Sequence, residues 1–219
     1  MLTNVSQSDI LLWLIDGRKL GDDQLVRCIC WLNPAELARY RRFIRPQRQR
    51  QFLIGRSLLR AALSKLLGVE PMDISLSERD ANAPFLNWPT SAPSFSIAHS
   101  GPWVSCVVSQ HIVVGLDIEM KNPDRDLDAL AAHVFDETEM EQLSKLIGDE
   151  RLKCFYELWS HKEARYKLFS NVDSNNKSKS AGYCIALTHP ELSVVLCSQD
   201  ILSVPPPIVE VSFSMLISD

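Results

Sequence analysis

The sequence predicts an α+β fold, and three observations carry that prediction. Two long stretches, residues 46–67 and about 150–170, repeat apolar residues at helical spacings. Short β-branched and apolar runs near 95–98, 103–108 and 111–119 read as strands. Three more short strands, near 183–187, 193–197 and 208–213, close the chain. A chain of 219 residues can bury a sizeable core, as one domain or two small ones.

In order, residues 10–15 read as a first strand and 22–31 as a short helix. Asn33-Pro34-Ala35-Glu36 is a helix start. Asn33 caps, Pro34 takes the first helical position and Glu36 reaches back to the cap. Leu37, Tyr40 and Phe43 form one side of that helix. Pro46 opens the next helix and Gly68 stops it, with Phe52, Leu53, Leu59, Leu63 and Leu66 facing a core. A strand over 73–77, a turn over 81–84 and a loop over 88–93 follow. Gly101-Pro102 breaks the strand over 95–98, and 103–108 with 111–119 reads as a hairpin. After a loop at 122–124, Asp126 caps one helix. Asp136-Glu137-Thr138-Glu139 opens another that ends at Gly148, its acids placed where the helix dipole favours them. Residues 170–181 are polar and serine-rich, a mobile loop. Pro205-Pro206-Pro207 is a stiff connector.

Bulk properties exclude some functions. The net charge is −4, which gives the whole chain no pull toward nucleic acid. No apolar run approaches a membrane span. Asp9 and Asp16 flank Trp13-Leu14-Ile15 and no basic segment precedes it, so it does not read as a signal peptide. The expectation is a cytoplasmic protein. The six cysteines, Cys28 and Cys30 among them, form no zinc pattern and read as buried free thiols.

The chemistry concentrates in three places. In Val113-Val114-Gly115-Leu116-Asp117-Ile118-Glu119, strand alternation puts Asp117 and Glu119 on one face and Leu116, Ile118 and Met120 on the other. Adjacent carboxylates repel each other. A hard cation such as magnesium resolves that conflict, although a solvated strand end fits the same residues. In the helix over 150–170, Glu163 and Lys167 stand four apart on one face, with Lys162 about 100° round. This is either a stabilising ion pair or a third carboxylate beside phosphate-binding lysines. Thirdly, Arg39, Arg41, Arg42, Arg45, Arg48, Arg50, Arg56 and Arg60 fall in a window that contains no acid. The arginine fork suits phosphate oxygens. A solvated basic face and a nucleic-acid patch are the other readings, and the latter lacks interleaved aromatics and a docking motif.

Gly115-Leu116-Asp117-Ile118-Glu119, followed some forty residues later by Trp159-Ser160-His161-Lys162-Glu163-Ala164-Arg165-Tyr166-Lys167, resembles the paired signature of the 4′-phosphopantetheinyl transferases. Phe95-Ser96-Ile97-Ala98-His99-Ser100 resembles that family's strand ending in His-Ser. The length is similar to the long, surfactin-type branch, so the resemblance implies two similar sub-domains with a cleft between them, 1–108 and 109–219. It implies one Mg²⁺ (or Mn²⁺) held by Asp117, Glu119 and Glu163, and coenzyme A held by Arg48, Arg50, Arg56, Pro84, His99, Ser100, Lys162 and Lys167. Many relatives carry Gly-Lys-Pro where this chain keeps only Pro84. His99 is expected to meet a phosphate as a charged imidazole. Glu163 would be the base, with Lys162 or Lys167 at the leaving group. The implied partner is an apo acyl or peptidyl carrier protein, docked between Lys121 and Gly148 and along the loop after Ser170, and the implied state is a monomer. Two rival readings are a Mg²⁺-dependent phosphodiesterase or nuclease, and a non-catalytic homologue that binds carrier or coenzyme.

Overall fold

A computed structural model describes residues 10–78, 84–88, 93–171 and 182–217. The expected loop at 172–181, and most of those at 81–84 and 88–93, lie outside the described residues. The elements are β1 (Ile10–Asp16), α1 (Asp22–Ile29), α2 (Pro34–Arg42), α3 (Pro46–Leu67), β2 (Ser75–Ser77), β3 (Phe85–Trp88), β4 (Ser94–Ser100) and β5 (Trp103–Ser109). Then come β6 (Val114–Met120), α4 (Leu127–Val134), α5 (Glu137–Ser144), α6 (Gly148–Asn171), β7 (Tyr183–Leu187), β8 (Leu192–Ser198), β9 (Ile208–Glu210) and α7 (Phe213–Leu216).

The local signals act as read. The Asn33 side chain accepts from the Glu36 amide at 3.0 Å, and the Glu36 carboxylate accepts from the Asn33 amide at 3.0 Å. Gly68 ends α3 in the left-handed region at φ 67°, where a side chain would be strained. The fold is α+β as expected.

Two sheets stack face to face, with strand orders β4-β5-β1-β9 and β6-β8-β7. Leu12, Leu14, Ala98 and Val107 from the first meet Val114, Leu116, Ile118, Val194 and Leu196 from the second in a shared core. Helix α3 covers the outer face of the first sheet through Leu53, Leu58, Leu59 and Ala62. Helix α6 covers the outer face of the second, where Ala164 and Leu168 pack on Val195 and Cys197. The halves repeat one plan. In each, a first strand is followed by three helices and later by two antiparallel strands, of which the second pairs with the first; the first half inserts the β2–β3 pair between helices and strands. Trp13 and Ile15, fourth and sixth in β1, occupy the positions that Asp117 and Glu119 occupy in β6. The first half therefore offers apolar side chains where the second offers acids.

The structure corrects several expectations. β5 and β6 are not a hairpin. Both edges of β5 are already taken, by β4 and β1, so β6 pairs with β8 in the other sheet. The real hairpin is β4–β5, turning at Gly101-Pro102. β9 lies parallel to β1, and α7 packs Phe213 and Leu216 into the α3 core, so the tail returns to the first half. Cys184 and Cys197 face each other across β7 and β8 and are bonded, while Cys28, Cys30, Cys106 and Cys154 are free and Cys30 is exposed. Among the described residues, no helix is long and apolar enough to cross a membrane.

At the seam, β6 is the edge of its sheet, and side chains of β4 cover that edge. The hydroxyls of Ser94, Ser96 and Ser100 each accept from an amide of β6, at Val114, Leu116 and Met120, all at 3.0 Å. Alternation puts these serines on one face of β4. Ser96 is buried. Ser96→Ala should strand the Leu116 amide and cost about 1–3 kcal/mol, read by urea unfolding.

Candidate active site

The acids of β6 face α6. Gly115 brings the two elements together, because a Cβ there would collide with the Ala164 carbonyl and the Leu168 backbone. This close approach sets Lys167 over Asp117, with Nζ 2.8 Å from Oδ1. The other oxygen, Asp117 Oδ2, and Ser160 Oγ on α6 are both buried without a well-formed hydrogen bond, and Ser160 lies close enough to draw the Asp117 carboxyl down a little. Glu119 is half-buried and accepts from the Ser100 hydroxyl at 2.7 Å. Glu163 is half-buried on the same helix face as Lys167.

Burial pushes the Asp117 carboxyl up to about 6, against the pull of Lys167 and with a smaller push from Glu119. Burial also raises Glu119, opposed by the Ser100 hydroxyl and the charge of Arg125 and reinforced by Glu163. The three acids thus feel one another in sequence, Asp117 to Glu119 to Glu163. Among the described residues, however, no three His, Cys, Asp or Glu side chains gather closely enough to hold a metal ion as they stand. The donors nonetheless suit a hard divalent cation. All are carboxylate oxygens, and Asp117 Oδ2 is buried without a well-formed hydrogen bond while Lys167 holds only Oδ1.

The phosphate-binding candidates separate into groups. Arg48 reaches across to β4, with its guanidinium 3.0 Å from His99 Nε2. Gln47 and Gln51 donate to the Gly101 carbonyl at 3.3 and 2.6 Å, so the first turns of α3 hold the β4–β5 turn. Arg50 donates to the carbonyls of Gly17 and Leu20 and faces Asp22 at 3.6 Å. Arg56 is buried, paired with Glu36 at 3.2 Å and Glu78 at 2.7 Å. Arg60 pairs with Glu36 at 2.6 Å, and Arg39 pairs with Glu78. Four of the window's eight arginines are thus paired with acids from outside it, and Arg56 has its fork already filled. Arg41, Arg42, Arg45 and Arg48 remain exposed. Pro84 is buried just before β3.

Lys162 turns away from β6 and pairs with Glu139 of α5 at 2.8 Å, so of the two lysines only Lys167 meets the acids. The charged imidazole expected at His99 belongs to a phosphate-bound state, and the free chain disfavours it. Burial first, then the Arg48 and Lys167 charges, lower it to about 4. The residue still reaches solvent, and Arg48 supplies the positive charge instead. The unfolded chain takes up this proton near 6.5 and the folded one only near 4, so His99 costs stability as pH falls through that window. His99→Gln should remove that component from the difference between the two stability–pH curves. Sequence reasoning passed over Arg125, Gln47 and Gln51, which carry no periodic or motif signal of their own, and gave Ser160, inside the quoted signature, no role.

A sequence profile described as 4'-phosphopantetheinyl transferase superfamily matches residues 113–184, and one described as 4'-phosphopantetheinyl transferase, N-terminal matches residues 21–111. The chain is 34% identical over 148 residues to "4'-phosphopantetheinyl transferase HetI" of Nostoc sp. strain PCC 7120, covering 67% of this chain and 62% of HetI. It is 31% identical over 150 residues to "4'-phosphopantetheinyl transferase Sfp" of Bacillus subtilis strain 168, covering 68% of this chain and 65% of Sfp. These matches span less than two thirds of either relative. A third, "4'-phosphopantetheinyl transferase AcpT" of Escherichia coli strain K12, is 30% identical over 162 residues, covering 72% of this chain and 74% of AcpT. With adjoining profile matches over both halves and a relative covered for most of its length, the chain belongs to the 4′-phosphopantetheinyl transferase superfamily, in its long, two-half branch.

Proposed function

We propose that this chain transfers the 4′-phosphopantetheine group of coenzyme A to a serine hydroxyl of an apo acyl or peptidyl carrier protein, releasing 3′,5′-ADP. One observation carries the reading. A buried acid strand lies under the Glu163–Lys167 face of α6, and the Ser100 hydroxyl joins it to β4, whose His99 is met by Arg48 of α3. Family membership supports the same reading.

Asp117, Glu119 and Glu163 would hold a divalent ion, Mg²⁺ foremost. When bound, it supplies positive charge to the pyrophosphate of coenzyme A. Every other role belongs to side chains. Arg48, with His99 beside it, binds phosphate oxygens of the ADP moiety, and Arg50, about 200° round α3 from it, is held by the Gly17 and Leu20 carbonyls. Glu163 takes the proton of the carrier serine as its oxygen bonds to the β-phosphorus. The phosphoanhydride bond breaks, and its electron pair leaves on 3′,5′-ADP. Lys167 meets that new negative charge. Lys162 braces α6 against α5.

The test is mass spectrometry of several apo carriers incubated with the protein, coenzyme A and Mg²⁺. Each accepted carrier should gain one phosphopantetheine, and no gain on any carrier would refute the proposal. Glu163→Gln should keep the fold and lower kcat by about 10²–10⁴-fold.

A further inference from the structure

β4 and β6 belong to different sheets, and side chains make the join between them. Three serine hydroxyls serve the amides of β6. The carbonyls are served by one residue, Asn171, the last of α6. Its Nδ2 donates to the Phe95 carbonyl in β4 at 2.9 Å and to the Val114 carbonyl in β6 at 3.1 Å. A carboxamide has two N–H donors on one nitrogen, and here each half of the molecule takes one. Two carbonyl acceptors also settle which way the amide is turned.

The position of Asn171 on the helix gives this bond its reach. Glu163, Lys167 and Asn171 recur every four residues and share one face of α6. Gly115, beside Val114, is where the helix backbone presses on β6. The helix is thus held against the strand sterically at Gly115 and by hydrogen bonds at Val114 and Phe95. Lys167, one turn before Asn171, meets Asp117 at 2.8 Å.

We propose that Asn171 is a positioning residue: it pins the end of α6 to both halves at once and so fixes where Lys167 and Glu163 stand over the acids of β6. It touches neither the acids nor any reacting atom in this arrangement. The kinetic part of the test rests on the transferase reading, and the structural part does not.

Asn171→Ala removes both donors. In hydrogen exchange, the amides of the last two turns of α6 and of Val114 should exchange faster, while those in the middle of α3 should not change. Unchanged exchange in α6 would overturn the proposal, whatever the chain catalyses. In carrier modification, Asn171→Ala should lower kcat by about tenfold to a hundredfold, the scale of a small misplacement of catalytic groups, with KM for coenzyme A little changed. Repeated in a Lys167→Ala background, the same substitution should cost less than about twofold, because residues that act as a unit are not additive. Equal losses in both backgrounds would show a general structural role and overturn it. Should Asn171→Ala fail to fold, Asn171→Ser, which keeps one donor, takes its place with the same criteria. A wild-type chain that modifies no carrier would refute the proposed function and leave the exchange experiment to decide on Asn171.

Discussion

Gly115→Ala is expected to cost about 3 kcal/mol and to abolish carrier modification. The added methyl has nowhere to go, since the atoms it meets are the Ala164 carbonyl and the Leu168 backbone, with Leu168 Cα at 2.9 Å. A flexible side chain could swing aside, but a helix backbone moves only as a unit. Overpacking of this kind costs about 1–3 kcal/mol, and contact with backbone puts it at the upper end. The shift would carry Lys167 off Asp117, so activity should fall further than stability alone explains. Urea unfolding gives the first quantity and carrier mass the second. A Gly115→Ala protein with full activity would show that α6 is free to move without loss.

Glu36→Ala should have the larger effect on folding. Glu36 is fully buried, and two guanidiniums lean on it, Arg60 at 2.6 Å and Arg56 at 3.2 Å. Arg60 is itself only 2% exposed. Removing the carboxylate leaves buried positive charge with too few partners, at about 3–5 kcal/mol. Against a total of about 5–15 kcal/mol for a typical domain, that moves the urea midpoint far down or prevents folding. Glu36→Gln separates charge from shape: it keeps the volume and one acceptor, so its loss should be smaller. Equal losses for the two variants would show that packing, not charge, is what Glu36 supplies.

These two residues mark where sequence reading succeeds and where it stops. Glu36 was legible as the third position of a capping box, and it does accept from the Asn33 amide. Its second task, neutralising Arg56 and Arg60 far along the chain, leaves no trace in local spacing. For the same reason spacing does not tell which arginines of the window are already paired: Glu36 and Glu78, which hold Arg39, Arg56 and Arg60, lie outside it. Alternation placed Asp117 and Glu119 on one face of β6, because a strand's period is fixed by its backbone. It does not name the partner strand, which is β8 and not the neighbouring β5. The Cys184–Cys197 bond depends on the register between β7 and β8, which spacing does not specify. The short strand β3, four residues with Asn87 among them, was too brief for any periodicity to show.

The returning tail bears on how the molecule comes apart. β9 and α7 follow the second half in the chain yet complete the sheet and core of the first. Melting the second half alone would drag this tail from its seat and bare the face the two sheets share. Differential scanning calorimetry should therefore record one peak, with calorimetric and van't Hoff enthalpies equal. Neither half should survive as a stable fragment.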